Sequence, residues 1–141
     1  MTHIKCIRGG RSLDYTRNGR KPSLCPEVAA INQLRAQYKA NAKLREVCWL
    51  LSMDEFKTLI KSNCYYCGSS PISPRPIVRN VEFLRNGIDR LDSSGDYVEW
   101  NVVSCCWKCN QAKMDLNPDE FIQWILQAAD YLRLRQTGNL H

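Results

Sequence analysis

Apolar residues early in the chain recur at helical spacing. Val28, Ile31, Leu34, Tyr38 and Ala42 share one face between Pro26 and about Arg45, with basic residues between them, and that period predicts an amphipathic helix. Pro26 suits the first turn and Glu27 the positive end of the helix dipole. Ser52-Met53-Asp54-Glu55 reads as a capping box, and Phe56, Leu59 and Ile60 supply the stripe of a second helix. Pro71, Pro74 and Pro76 then mark an irregular connection, because proline lacks the amide donor that a helix or ladder needs. Val81-Glu82-Phe83-Leu84 and Gly87 to Leu91 alternate as short strands do, and Asp92-Ser93-Ser94-Gly95-Asp96 is turn chemistry. A short helix is expected to carry Asn110, Lys113 and Met114. Asn117-Pro118-Asp119-Glu120 caps a last helix whose Phe121, Ile125, Ala128 and Leu132 share a face, with Gly138 beyond its end. Trp124 beside that stripe and Cys48 within Val47-Cys48-Trp49-Leu50-Leu51 are expected in the core.

A chain of 141 residues suits one modest domain with an arm and is short for two full cores. Residues 1–22, with Gly9-Gly10, Asn18-Gly19 and Pro22, read as a loosely ordered basic arm. Residues 23–50 read as the amphipathic helix, and 51–141 as the domain proper. No apolar run approaches the length of a membrane span, and no secretory pattern opens the chain, so no membrane partner and a cytoplasmic location are expected, the host cytoplasm if the protein is virus-encoded. The net charge of +6 is concentrated towards the N-terminus, in Arg8, Arg11, Arg17, Arg20, Lys21, Arg35, Lys39, Lys43 and Arg45. That distribution fits a polyanion as partner, although a solvated basic face explains it equally well.

Among the eight cysteines, Cys64 and Cys67 form one Cys-x-x-Cys turn, and Cys106 and Cys109 another. Paired two-residue spacings without an export signal favour zinc over a disulfide framework. Cys105 could replace Cys106 only with a different turn, and a second metal site on Cys6 and Cys25 would need two more ligands, with only His3 nearby. An all-cysteine zinc site is coordinatively full, hence structural. A catalytic ion must be a different one.

Oxygen ligands for a hard divalent cation are available from Asp89, Asp92 and the side-chain carbonyl of Asn110. Such an ion would bridge a phosphate oxygen, and Lys113, one helical turn beyond Asn110, could face the same phosphate. Each has a plainer reading. Asp89 could pair with Arg90 or Arg85, Asn110 could cap a helix, and Lys113 could be solvated.

Cys64-Tyr-Tyr-Cys-Gly, Asn86-Gly-Ile-Asp-Arg-Leu-Asp, Asp96-Tyr97 and Asn101-Val-Val-Ser-Cys-Cys-Trp-Lys-Cys-Asn110-Gln-Ala-Lys113 together resemble the zinc-knuckle branch of HNH endonucleases, and are similar to the phage recombination endonuclease VII group. The resemblance covers roughly residues 40 to 126. It implies an α+β fold, a small ββα-metal domain with structural zinc on Cys64, Cys67, Cys106 and Cys109, flanked by helices. It also implies a metal-dependent endonuclease that hydrolyses DNA phosphodiester bonds, with Mg2+ or Mn2+ on Asp89 and Asn110, and Asn101 holding the loop. One position departs from the pattern: where the family has a general-base histidine, this chain has Arg90, which stays protonated and can only hold a phosphate or stabilise charge. Replacement bases would be Asp92, Glu99 or metal-bound hydroxide. Arg85, Arg90, Lys113, Arg20 and Lys21 are the expected nucleic-acid contacts, and a homodimer is compatible with the sequence. The alternatives are a zinc-stabilised nucleic-acid-binding module without activity and a zinc-stabilised protein-interaction domain.

Overall fold

The structure, a computed structural model, describes residues 25–72 and 83–138. The basic arm, with Cys6, Arg20 and Lys21, lies outside the described residues, as do Pro74, Pro76, Val81 and Glu82. Helix α1 spans Pro26–Leu44 and buries Ala30, Ile31, Leu34 and Ala42, the face its periodicity requires. Helix α2, Met53–Lys61, opens on the expected capping box: Ser52 Oγ accepts from the Glu55 amide at 3.2 Å, and Glu55 Oε2 accepts from the Ser52 amide at 2.6 Å. Its Phe56 and Ile60 are fully buried.

Strands β1, Gly87–Arg90, and β2, Val102–Cys105, form an antiparallel hairpin whose register pairs Gly87 with Cys105 and Arg90 with Val102. A single 3-10 turn at Glu99–Asn101 feeds β2, and α3, Trp107–Lys113, follows it. The β-β-α order is therefore present, with α1 and α2 before it and α4, Pro118–Gln136, after it. One core joins α1, α2 and the hairpin: Ile31 and Leu34 of α1 meet Phe56 and Ile60 of α2, and Ile88 and Val102 of the hairpin. Tyr38 stands among Trp49, Phe56 and Tyr97, with centroids 5.9 to 6.4 Å away, and its hydroxyl accepts from the Ile88 amide at 3.0 Å. That contact explains Gly87, since a Cβ there would come within 3.0 Å of the same hydroxyl and 3.2 Å of the Cys105 carbonyl.

Some expectations need correction. Phe83 and Leu84 are not strand, and Met114 lies just past α3. Cys48 is exposed although its neighbours are apolar. The α4 stripe is fully covered only at Phe121, 1% exposed; Ile125 and Ala128 are partly buried, Leu132 is 52% exposed and Trp124, beside the stripe, 53%. Trp124 stacks on Phe121 but is no core residue.

Candidate metal centre and active site

The first knuckle leaves α2 and turns at Gly68, whose φ of +71° suits a residue without a Cβ. Its amide donates to the Cys64 carbonyl at 2.9 Å. Cys106 is the N-cap of α3, and its sulfur accepts from the Cys109 amide at 3.5 Å. The sulfurs of Cys64, Cys67, Cys106 and Cys109 all lie within 4.8 Å of one another, with Cys67 and Cys106 at 3.8 Å. Tetrahedral zinc with Zn–S bonds of about 2.3 Å requires sulfur separations of about 3.8 Å, so the four thiols can hold a metal with little adjustment. The Ser69 hydroxyl lowers the Cys67 thiol to about 6 through a shared hydrogen bond. Cys105 stays outside the cluster: its thiol is buried, is pushed up by burial and donates to the Cys106 carbonyl.

The knuckle is tied to the hairpin. The Tyr65 amide donates to the Ser104 carbonyl at 2.8 Å, and Asn86 Nδ2 donates to the Ser62 carbonyl at 2.9 Å. This fixes Tyr66, whose hydroxyl donates to Asp89 Oδ2 at 2.9 Å. Burial, then the Asp89 contact, push that phenol well above its ordinary range, so it remains a donor.

Lys113 reaches the same oxygen from the other side. Its Nζ lies 3.2 Å from Asp89 Oδ2 and donates to the Arg90 carbonyl at 3.1 Å. Lys113 is 0% exposed and Asp89 7%, so Lys113 does not stand at the surface facing a phosphate. A buried ammonium is tolerable only when paired and hydrogen-bonded, and Asp89 with the Arg90 carbonyl supplies both conditions.

Arg90 is also committed. Its guanidinium donates to the Gly95 carbonyl and lies 5.0 Å from the centroid of the Tyr97 ring. Asn101 organises the intervening loop: Oδ1 accepts from the Asp92 amide at 2.9 Å, while Nδ2 donates to the carbonyls of Asp92 and Asp96 at 3.1 and 2.9 Å. Asp92 caps its own turn by accepting from the Ser94 amide and hydroxyl at 2.8 and 2.6 Å, and these bonds hold its carboxyl below the usual range. It lines a separate hollow with Trp100 and Asn117.

Asp89, Arg90, Asn110 and Arg85 meet along one cleft of about 1000 Å³ between α1, β1 and α3. Arg85 is half-buried, burial pushes its guanidinium down, and its Nε has no hydrogen-bond partner among the described residues. Asp115 is the other carboxylate on the cleft wall; Asp92, Glu99, Asn101 and Lys113 are not on it. Sequence reading missed Tyr66 and Asp115. The only signal for Tyr66 was its place between two ligand cysteines, and spacing does not say where a turn points its side chain.

No family model matches the chain. Over 101 residues, 72% of its length, the chain is 33% identical to an uncharacterized protein, R423, of Acanthamoeba polyphaga mimivirus, and it spans about 17% of that protein's length. Its fold is similar to that of the rare-cutting HNH restriction endonuclease PacI, with a TM-score of 0.53 and 21% identity, over 96% of this chain and 99% of that one. The class is thus defined at the level of architecture: an α+β fold similar to that of this HNH endonuclease, helices around a small antiparallel hairpin, with a four-cysteine cluster that could hold a metal.

Proposed function

We propose that this chain is a metal-dependent endonuclease that hydrolyses DNA phosphodiester bonds. The observation that carries the reading is the convergence of Asp89, Asn110, Arg85 and Arg90 on one cleft beside the four-cysteine cluster. In it, Cys64, Cys67, Cys106 and Cys109 hold structural zinc, and Asp89 with Asn110 offers the oxygen donors that Mg2+ or Mn2+ prefers. A hard ion bound there would neutralise charge on the phosphate and on the leaving 3′ oxygen. Tyr66 and Lys113 both bond Asp89 Oδ2, and so fix the orientation of the carboxylate. Arg85 and Arg90 hold the phosphate as permanent cations. Asp115, which shares the cleft with Asp89, is a better placed proton acceptor than Asp92 or Glu99. Arg20 and Lys21 extend the backbone contacts, and no helix among the described residues is long and apolar enough to cross a membrane.

The test is nicking of supercoiled plasmid by zinc-loaded protein with magnesium, then manganese, comparing the native chain with Asp89→Asn. The isosteric amide is preferable to alanine because it leaves an oxygen for Tyr66 and Lys113. Nicking by the native chain that falls at least a hundredfold in the variant supports the reading; no nicking of any duplex, branched or single-stranded DNA overturns it. A second reading, a binding module without activity, is favoured by one observation, the commitment of Arg90 to Gly95 and Tyr97. Cutting by Arg90→His alone would select it.

A further inference from the structure

The cleft has two walls that neither the fold nor the chemistry at Asp89 requires. Gln37 and Asn41 of α1 and Arg45, which caps its end, follow one another at four-residue intervals, so they stand in a row along the helix and line the cleft. All three are exposed. Opposite them, Trp107, Gln111 and Met114 line it from α3 and its end, on the same side as Asn110. Trp107 is 62% exposed and Met114 72%. Met114 also takes a φ of +50°, an uncommon conformation for a residue with a side chain, where α3 stops. Large apolar side chains kept in water, on a wall facing two amides and a guanidinium, are costly to the fold and useful to a ligand.

We infer that these walls grip the DNA strand on either side of the cutting position, with Trp107 as a stacking platform for a base and the Gln37–Asn41–Arg45 row as the opposing polar contact. The occupant follows from the chemistry. Arg45, Arg85 and Arg90 outnumber Asp89 and Asp115 along the cleft, which suits phosphates. Amide side chains bond base edges, and an exposed indole stacks on any base without regard to sequence. Because Trp107 can stack only on a base whose face is accessible, a single strand or a locally opened duplex should bind more tightly than an intact duplex. This assignment rests on the endonuclease reading for its ligand class, yet it concerns binding and can be tested separately.

The experiment measures fluorescence anisotropy of labelled single-stranded and duplex DNA against zinc-loaded protein, with calcium replacing magnesium. It uses the native chain, Trp107→Ala, Trp107→Phe, and the triple variant Gln37→Ala/Asn41→Ala/Arg45→Ala. Stacking predicts about tenfold weaker binding for Trp107→Ala, partly restored in Trp107→Phe, and indole emission that DNA quenches in the native chain more than in Trp107→Phe. The triple variant should weaken binding by about tenfold and flatten the salt dependence by about one phosphate contact. Native binding with every variant unchanged in affinity, quenching and salt slope overturns the inference, whether or not the chain cuts. Weakened variants in a protein that never nicks DNA would uphold the walls and sink the endonuclease reading. A native chain that binds no DNA overturns both.

Discussion

The four-cysteine corner and the Asp89 corner are built in opposite ways. In the first, two turns of the same spacing each bring a pair of identical ligands, and the four sulfurs lie within 4.8 Å of one another, with the closed geometry of a structural metal site. In the second, Tyr66, Asp89, Asn110 and Lys113 come from a knuckle, a strand and a helix and differ in chemistry, and two of them, Asp89 and Asn110, line an open cleft of about 1000 Å³. The knuckles also carry parts of the second corner. Tyr66 lies inside the first, and Asn110 and Lys113 belong to the helix that Cys106 and Cys109 anchor. Dependence should therefore run one way: loss of the cysteine corner dismantles the Asp89 corner, whereas the converse costs much less.

The largest expected effect tests that asymmetry. Coupling of metal binding to folding contributes about 10 kcal/mol or more in small zinc domains, against a typical total stability of about 5–15 kcal/mol. Stripping the metal with a chelator, or Cys109→Ser, should abolish the cooperative thermal transition followed by circular dichroism. A sharp melt surviving in metal-free protein would break the comparison, because the hydrophobic core alone would then hold the fold.

Next in size is the buried pair. Asp89→Ala strands the Lys113 ammonium, which is 0% exposed, and removing one partner of a buried pair costs about 3–5 kcal/mol. The double variant Asp89→Leu/Lys113→Met should return close to native stability in urea denaturation, with zinc content unchanged and nicking absent. If Asp89→Ala alone costs nothing, the pair is solvated and Asp89 is not anchored as described.

What the sequence revealed follows the same division. Cys-x-x-Cys spacing and the capping box at Ser52 are local, so the knuckles and α2 were readable without knowing the packing. The helical period also located α1 and α4. Burial was not readable, because it depends on what covers a face: Cys48 sits in an apolar run yet is exposed, and Trp124, beside the α4 stripe, is 53% exposed. Lys113 failed for the complementary reason. Three residues from Asn110 on one helix, it was expected at the same phosphate, but α3 packs so that its ammonium meets Asp89 beneath the hairpin. β2 went unread because Val102-Val103-Ser104-Cys105 does not alternate cleanly, and its pairing with β1 is set by the partner.

A smaller effect is expected from Tyr66→Phe. The ring keeps its edge contact with Phe121, centroids 5.1 Å apart, so only the hydroxyl bonded to Asp89 is lost. A single hydrogen bond to a charged acceptor contributes about 1.5–3 kcal/mol, and its loss should lower the nicking rate roughly tenfold or more with zinc content unchanged. An unchanged rate would mean that Lys113 alone positions Asp89, and the two corners would then share less than their layout implies.

The smallest effect concerns acid. Ser94 holds the Asp92 carboxyl below its usual range, so the stabilising contribution is present above the unfolded value of about 3.9 and is lost as pH falls through the lower folded value. Thiolate protonation would release a metal held by the cysteine corner as pH falls, which would mask Asp92 in any single melting curve. The difference between native protein and Asp92→Asn removes that shared loss, because both carry the same four cysteines. The native chain should melt slightly higher at pH 7, and the gap should close as pH falls below about 4. Asp92 is exposed, so the gap should be a degree or so at most. A gap that widened in acid would mean the carboxyl is favoured in its protonated form, and the loop between the corners would then be held by something other than the charge on Asp92.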